Sequence, residues 1–290
     1  MYTIKQASLR SGVAVSLIRA WERRYGVIRP ERTPSGYRLY DDDGISRLRA
    51  MRGLIERGWS ARQAAASVLE QPTTRLPRMI DASPDGPSPG AALVAAAARY
   101  DLAAVEGALD DLFGRGSFEA VIDELVLPSA AMLGEAWADG LIDVAAEHLA
   151  SSAVSRRLSA LFDMAGLSGS GPQVLVGLPP DSRHELGALA FAVALRRLGV
   201  DVLYLGADVP VESWVDAATD SAAQAAVVGV VTARDIPPAS EVAAALQAAR
   251  PDLELAFGGA SAGGLSAIGD VTVLPARVVE AAGALRGRLR

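Results

Sequence analysis

The chain has 290 residues, half of them hydrophobic, two histidines, no cysteine and a net charge of −6; at about 100–200 residues per domain it holds two or three domains. The missing cysteine excludes disulfides, thiolate metal sites, iron–sulfur clusters and cysteine nucleophiles, which leaves histidine and carboxylate as metal ligands. Apolar runs stay short of the roughly 18 residues that cross a bilayer, and the first residues lack the layout of a secretory signal, so a cytoplasmic protein with no membrane partner is expected.

Residues 1–70 carry 13 Lys plus Arg against 7 Asp plus Glu, whereas the remainder carries 15 against 27. A basic head of that kind suits a polyanion. In "TIKQASL", Thr3 is placed to cap a short amphipathic helix. Gly12 marks a tight turn. The helix "AVSLIRAWERRYG" then turns Val15, Ile18 and Tyr25 inward and Arg19, Glu22, Arg23 and Arg24 outward, until Gly26 ends it. Trp21 reads as a core residue. The next stretch forms a hairpin-like wing around Pro34-Ser35-Gly36 and then two more helices, with Asp41–Asp43 at the positive end of the first.

This is helix-turn-helix syntax, and residues 2–69 resemble the winged-helix DNA-binding domain of the MerR family. The resemblance is carried by "YTIKQASLRSGVAVSLIRAWERRYG", "GYRLYDDDGISRL" and "LIERGWSARQAAASVL". It implies that Ser16, Arg19, Arg23, Arg24 and Tyr25 meet double-stranded DNA from the second helix, and Tyr37, Arg38 and Tyr40 from the wing. Arginine offers paired donors to guanine or phosphate, and tyrosine a hydroxyl to phosphate. Residues 1–70 are therefore expected to form a mostly α winged helix-turn-helix domain.

Residues 70–90 contain five prolines and two glycines, too many for the long dimerising helix that follows the wing domain in many relatives. A flexible linker over 71–90 is expected instead. Residues 91–166 return to helical periodicity, broken at Gly114, Gly116 and Asp139-Gly140, with Asp143 placed to cap the last helix. They predict a four-helix bundle. In "EAWADGLIDVAAEHLASS", Trp137 ends one helix while Glu147 and His148 lie on the next. Spacing alone is equally compatible with a buried tryptophan and a surface histidine.

From 172 to 290 strands alternate with helices, the first helix running from His184 to about Leu198. Apolar runs between helices indicate a parallel sheet covered on both faces, a Rossmann-like α/β domain. Ligands on such sheets gather at the carboxyl ends of the strands. There the sequence places "DSRHELG" after the first strand, Thr232 after the third and Gly258-Gly259 after the fourth.

These features resemble the cobalamin-binding domain of corrinoid proteins, with His184 and Gly187 matching its His-x-x-Gly and Gly258-Gly259 its later glycine pair. The resemblance implies that His184 is the lower axial ligand of cobalt and that the glycines admit the nucleotide tail. The acid that the family carries two residues before its histidine is Ser182 here, which leaves Asp181 and Glu185 as candidates to orient the ring.

Over nearly its full length the domain order resembles the CarH/LitR-type photoreceptor regulators, whose bundle carries the Trp-x9-Glu-His matched by Trp137, Glu147 and His148. That implies an adenosylcobalamin covered by the tryptophan, with Glu and His lining the adenosyl pocket. It also implies a light-responsive, cobalamin-dependent repressor, not an enzyme, that works as a homo-oligomer. Where many relatives carry a further histidine after the tryptophan, this chain has Ala138, so a light adduct with two histidines by that route is not expected. Two alternatives are a regulator that senses cobalamin or another ligand without light, and a corrinoid methyl carrier; the latter has no use for a DNA-binding head.

Overall fold

The computed structural model describes residues 2–28, 30–32, 38–56, 61–70, 88–166, 171–265 and 271–289. The wing tip Pro34-Ser35-Gly36, Tyr37 and most of the expected linker lie outside them. The chain divides into two compact units, Met1–Leu102 with Ala131–Leu149, and Ala103–Ala130 with Ala150–Arg290. No helix among the described residues is long and apolar enough to cross a membrane.

The head comprises β1 (Tyr2–Thr3), α1 (Ile4–Ser11), α2 (Val15–Tyr25), β2 (Glu31–Arg32), β3 (Arg38–Tyr40), α3 (Asp42–Glu56) and α4 (Ala61–Glu70). Its strands form an antiparallel sheet in the order β1-β3-β2, with Arg32 opposite Arg38. Thr3 caps α1 through a reciprocal capping box with Gln6, and Gly12 and Gly26 end α1 and α2 in the left-handed conformation. Ile18 and Trp21 of α2 join Val13, Ile28, Leu48, Met51 and Val68 in one core. Tyr40 also belongs to that core and is 1% exposed.

From residue 89 onward come α5 (Pro89–Ala98), α6 (Leu102–Phe113), α7 (Phe118–Val121), a π-helical turn (Ile122–Val126), α8 (Leu127–Ala138) and α9 (Val144–Met164). Helix α5 starts two residues earlier than expected because Ser88 caps it and Pro89 suits a first helical position. α7, the π turn and α8 follow without a break, so the segment consists of four helical rods. Pro128 gives a reason for the π turn, since it has no N–H to donate to the Glu124 carbonyl and its ring crowds that position. In the second unit Asp123, within the π turn, accepts the N–H groups of Val278 and Val279 at 2.8 and 3.0 Å.

The last domain comprises β4 (Gln173–Gly177), α10 (Leu186–Arg197), β5 (Asp201–Gly206), α11 (Val211–Asp220), β6 (Ala223–Gly229), α12 (Ile236–Ala249), β7 (Glu254–Gly258), β8 (Thr272–Val273) and α13 (Val278–Arg286). The strands are parallel in the order β5-β4-β6-β7-β8, which sets the topological switch beside β4. Leu175, Val228 and Phe257 of the sheet pack with Trp214 of α11 and with Val242 and Leu246 of α12. Helix α10 begins after His184, not at it: the Glu185 N–H turns back to the Arg183 carbonyl at 3.0 Å, so the histidine stands in the loop.

Candidate functional site

At the carboxyl edge of the sheet, β4, β5, β6 and β7 all end in glycine: Gly177, Gly206, Gly229 and Gly258. In register, Gly177 lies opposite Gly206, and Gly229 opposite Gly258. Neighbouring strands thus end in backbone without Cβ atoms in two facing pairs, with the Leu178 side chain packed against Gly229 between them. Gly259 follows with φ +108°, and a Cβ there would stand 2.6 Å from the Val230 carbonyl oxygen. A Cβ on Gly177 would meet the Gly206 carbonyl and the Trp214 ring, each at 3.1 Å. Only the Gly258-Gly259 pair was expected from sequence; the rest emerges with the strand register.

The loops at this edge are tied to one another. Asp181, at φ +64°, donates its N–H to Asp208 Oδ1 at 2.7 Å, while the Asp208 N–H donates to the Ser182 carbonyl at 2.9 Å. His184 is exposed in this loop, and Gly187 lies one residue into α10. Glu185 Oε2 accepts the Tyr204 hydroxyl at 3.4 Å; burial, followed by the Glu185 charge, holds the tyrosine pKa far above its usual value. Beyond β6, Thr232 caps a short 3₁₀ turn. Asp235, which sequence reasoning did not single out, accepts the N–H groups of Val231 and Thr232 at 2.9 and 2.7 Å. His184, Thr232 and Gly258-Gly259 therefore follow three adjacent strands at one edge.

The residues at this edge fit a corrinoid. The strand-end glycines let a ligand approach the backbone closely. A corrin ring brings four nitrogen ligands of its own, so the protein need supply only one imidazole, and His184 offers one at this edge. Trp214 Nε1 and Ser182 Oγ are buried polar atoms without a hydrogen-bond partner among the described residues.

The second constellation surrounds the α8–α9 turn. Gly140, at φ +72°, donates to the Trp137 carbonyl at 3.0 Å, and Leu141 to the Ala136 carbonyl at 2.8 Å, which closes α8 as a Schellman motif. Asp143 Oδ1 accepts the Ala146 N–H at 2.9 Å at the start of α9, and Asp143 Oδ2 accepts the Tyr100 hydroxyl at 2.5 Å. That tyrosine bond, with the backbone bonds behind it, lowers the Asp143 pKa. Both helix ends are thereby fixed. Trp137 is 39% exposed, and the side chains of His148 and Glu147 are 72% and 23% exposed, with Nε2 and Oε2 3.7 Å apart. They offer an aromatic plane at the end of α8 and a polar pair in the first turns of α9.

On the head, Ser16, Arg19, Arg23 and Arg24 are exposed along α2, and Tyr25 is half-buried against the core. Leu17, not singled out from sequence, is 48% exposed beside them. Arg38 donates to Glu22 Oε1 at 3.0 Å, tying β3 to α2. Tyr40 corrects its expected role: packed into the core, it supports the wing and offers no surface to DNA. Arg47, Arg49 and Arg52 of α3 donate to the carbonyls of Val27, Arg10 and Ser11, so part of the basic charge of the head serves its own loops.

Residues 2–70 match the family model for MerR HTH family regulatory proteins, and residues 91–162 and 172–282 each match a model described as a B12 binding domain. The chain is 37% identical over 217 residues to the HTH-type transcriptional repressor CarH of Myxococcus xanthus, covering 73% of this chain and 72% of the relative. It is 32% identical over 214 residues to the repressor CarA of the same organism, covering 71% and 68%. The Methanosarcina barkeri monomethylamine corrinoid protein superposes with a TM-score of 0.56 at 16% identity, over 69% of this chain and 96% of that one, which shows a shared fold.

Proposed function

Since the chain belongs to the MerR HTH family of regulatory proteins and carries B12 binding domains, and is thus a cobalamin-binding transcription regulator and not an enzyme, we propose that it is a light-responsive repressor. In this reading adenosylcobalamin sets its oligomeric state and thereby its hold on operator DNA. The observation that carries the reading is the exposed His184 in the loop after β4, at the sheet edge where four adjacent strands end in glycine.

Bound adenosylcobalamin supplies a cobalt–carbon bond that light cleaves. His184 would hold the cobalt from below, and the Gly177, Gly258 and Gly259 backbone, with Thr232, would receive the nucleotide tail. Trp137 would cover the upper face, with Glu147 and His148 hydrogen-bonding the adenosyl group. Control requires the ligand to bind the assembled and separated states with different free energies. Several heads on one assembly would then raise DNA affinity without a new contact, with Ser16, Arg19, Arg23 and Arg24 facing the groove.

Size-exclusion chromatography with inline absorbance tests this on protein loaded with adenosylcobalamin in the dark and then illuminated. A larger dark species that carries corrinoid absorbance and becomes smaller in light is expected. Binding without a light-dependent change of size would leave a cobalamin sensor that works without light. Repeating operator binding across a salt series should give steeply falling affinity, as phosphate contacts require.

A further inference from the structure

A histidine that ligates a metal through one nitrogen donates its other N–H to an acceptor, which sets the tautomer and aims the ring. Three polar side chains lie close enough in sequence to serve His184: Asp181, Ser182 and Glu185. Glu185 already accepts the Tyr204 hydroxyl at 3.4 Å. Asp181 is exposed, in the left-handed conformation, with its N–H held by Asp208. Ser182 is different in kind. It is 1% exposed, and its Oγ has no hydrogen-bond partner among the described residues.

The Ser182 backbone is anchored on both sides, its N–H donating to the Pro179 carbonyl at 3.2 Å and its carbonyl accepting from Asp208 at 2.9 Å. The hydroxyl is therefore kept inside although burial without a partner is destabilising. Two residues apart, the Ser182 and His184 Cα atoms are at most about 7 Å from one another, within the combined span of a serine hydroxyl and an imidazole ring.

We propose that Ser182 is the positioning residue of His184: its hydroxyl accepts the imidazole N–H that remains when the other nitrogen faces cobalt. The inference rests on the cobalamin reading above. A hydroxyl is a neutral acceptor and makes a weaker bond than a carboxylate. It fixes the ring without pulling the N–H proton as strongly, so His184 is a weaker donor to cobalt than a histidine backed by an acid.

The test uses the full chain and adenosylcobalamin in the dark, comparing wild type with Ser182→Ala, Asp181→Asn, Glu185→Gln and His184→Ala. Visible spectra and binding titrations are read together with thermal unfolding of the cobalamin-free proteins. Cobalamin-free Ser182→Ala is expected to melt at or above the wild-type temperature, because an unpaired buried hydroxyl has been removed. Its cobalamin affinity should fall about 10–100-fold, and its spectrum should move toward that of His184→Ala. Asp181→Asn and Glu185→Gln, the rival candidates, should lose less affinity than Ser182→Ala and keep a spectrum unlike that of His184→Ala. The proposal is overturned if Ser182→Ala binds and absorbs like wild type, if either control shows the loss instead, or if Ser182→Ala loses cobalamin-free stability and affinity together. Wild type that binds no cobalamin would overturn the underlying reading itself, whatever the variants do.

Discussion

The α8–α9 turn and the carboxyl edge of the sheet present one histidine each, but they are built in opposite ways. His148 is placed by a stretch of local sequence: a glycine closes one helix and Asp143 opens the next. His184 is placed by tertiary structure: its loop follows β4, is tied to Asp208 beyond β5, and lies at an edge where four adjacent strands end in glycine. The first arrangement depends on a few turn residues and fails with any of them. The second depends on strand register, which many core side chains such as Leu175, Val228 and Phe257 hold jointly.

The largest effect that would break this contrast is expected from Gly259→Val. Its positive φ and the 2.6 Å approach to the Val230 carbonyl leave no room for a Cβ, so the sheet domain should lose about 2–4 kcal/mol in urea unfolding. A fully stable variant would show that the edge is softer than its geometry implies. Next, His184→Ala should weaken cobalamin binding by more than about 100-fold, exceeding the loss of a supporting partner alone. Trp137→Ala should weaken it by about tenfold, since stacking on one face is worth less than a coordinate bond. Equal losses in parallel titrations would erase the distinction between the two sites.

The smallest effect concerns pH. The pKa of Asp143 is lowered in the folded protein by the Tyr100 bond, so the stability it adds is complete above its unfolded pKa of about 3.9 and is lost as pH falls through the lower folded value. Trp137 emission during acid titration should report this step in wild type and lack it in Asp143→Asn. An identical profile in both would mean that Asp143 does not hold the turn.

Where a structural decision is local, the sequence announces it. Thr3 with Gln6, Gly12, Gly26 and Asp143 each cap a helix as their residue types suggest, and apolar runs between helices mark the five parallel strands. Where the decision is tertiary, local signals mislead or stay silent. Tyr40 alternates with its neighbours as a wing residue would, yet the head core takes it. Pro128 sits inside what reads as one helix, and only the π turn before it reveals how the backbone accommodates it. Gly177, Gly206 and Gly229 look like ordinary strand ends until register sets Gly177 opposite Gly206 and Gly229 opposite Gly258. Ser182 reads as a missing acid; its burial shows a hydroxyl retained.

A binding edge made of backbone also limits how the protein can diversify. A side chain at Gly259 would add atoms where there is no space, and one at Gly177 would press on the Gly206 carbonyl and the Trp214 ring, so these two positions admit little gradual adjustment. Variation in ligand preference is therefore expected to arise more readily in the loops beside them, around Ser182 and Thr232, than at these two glycines.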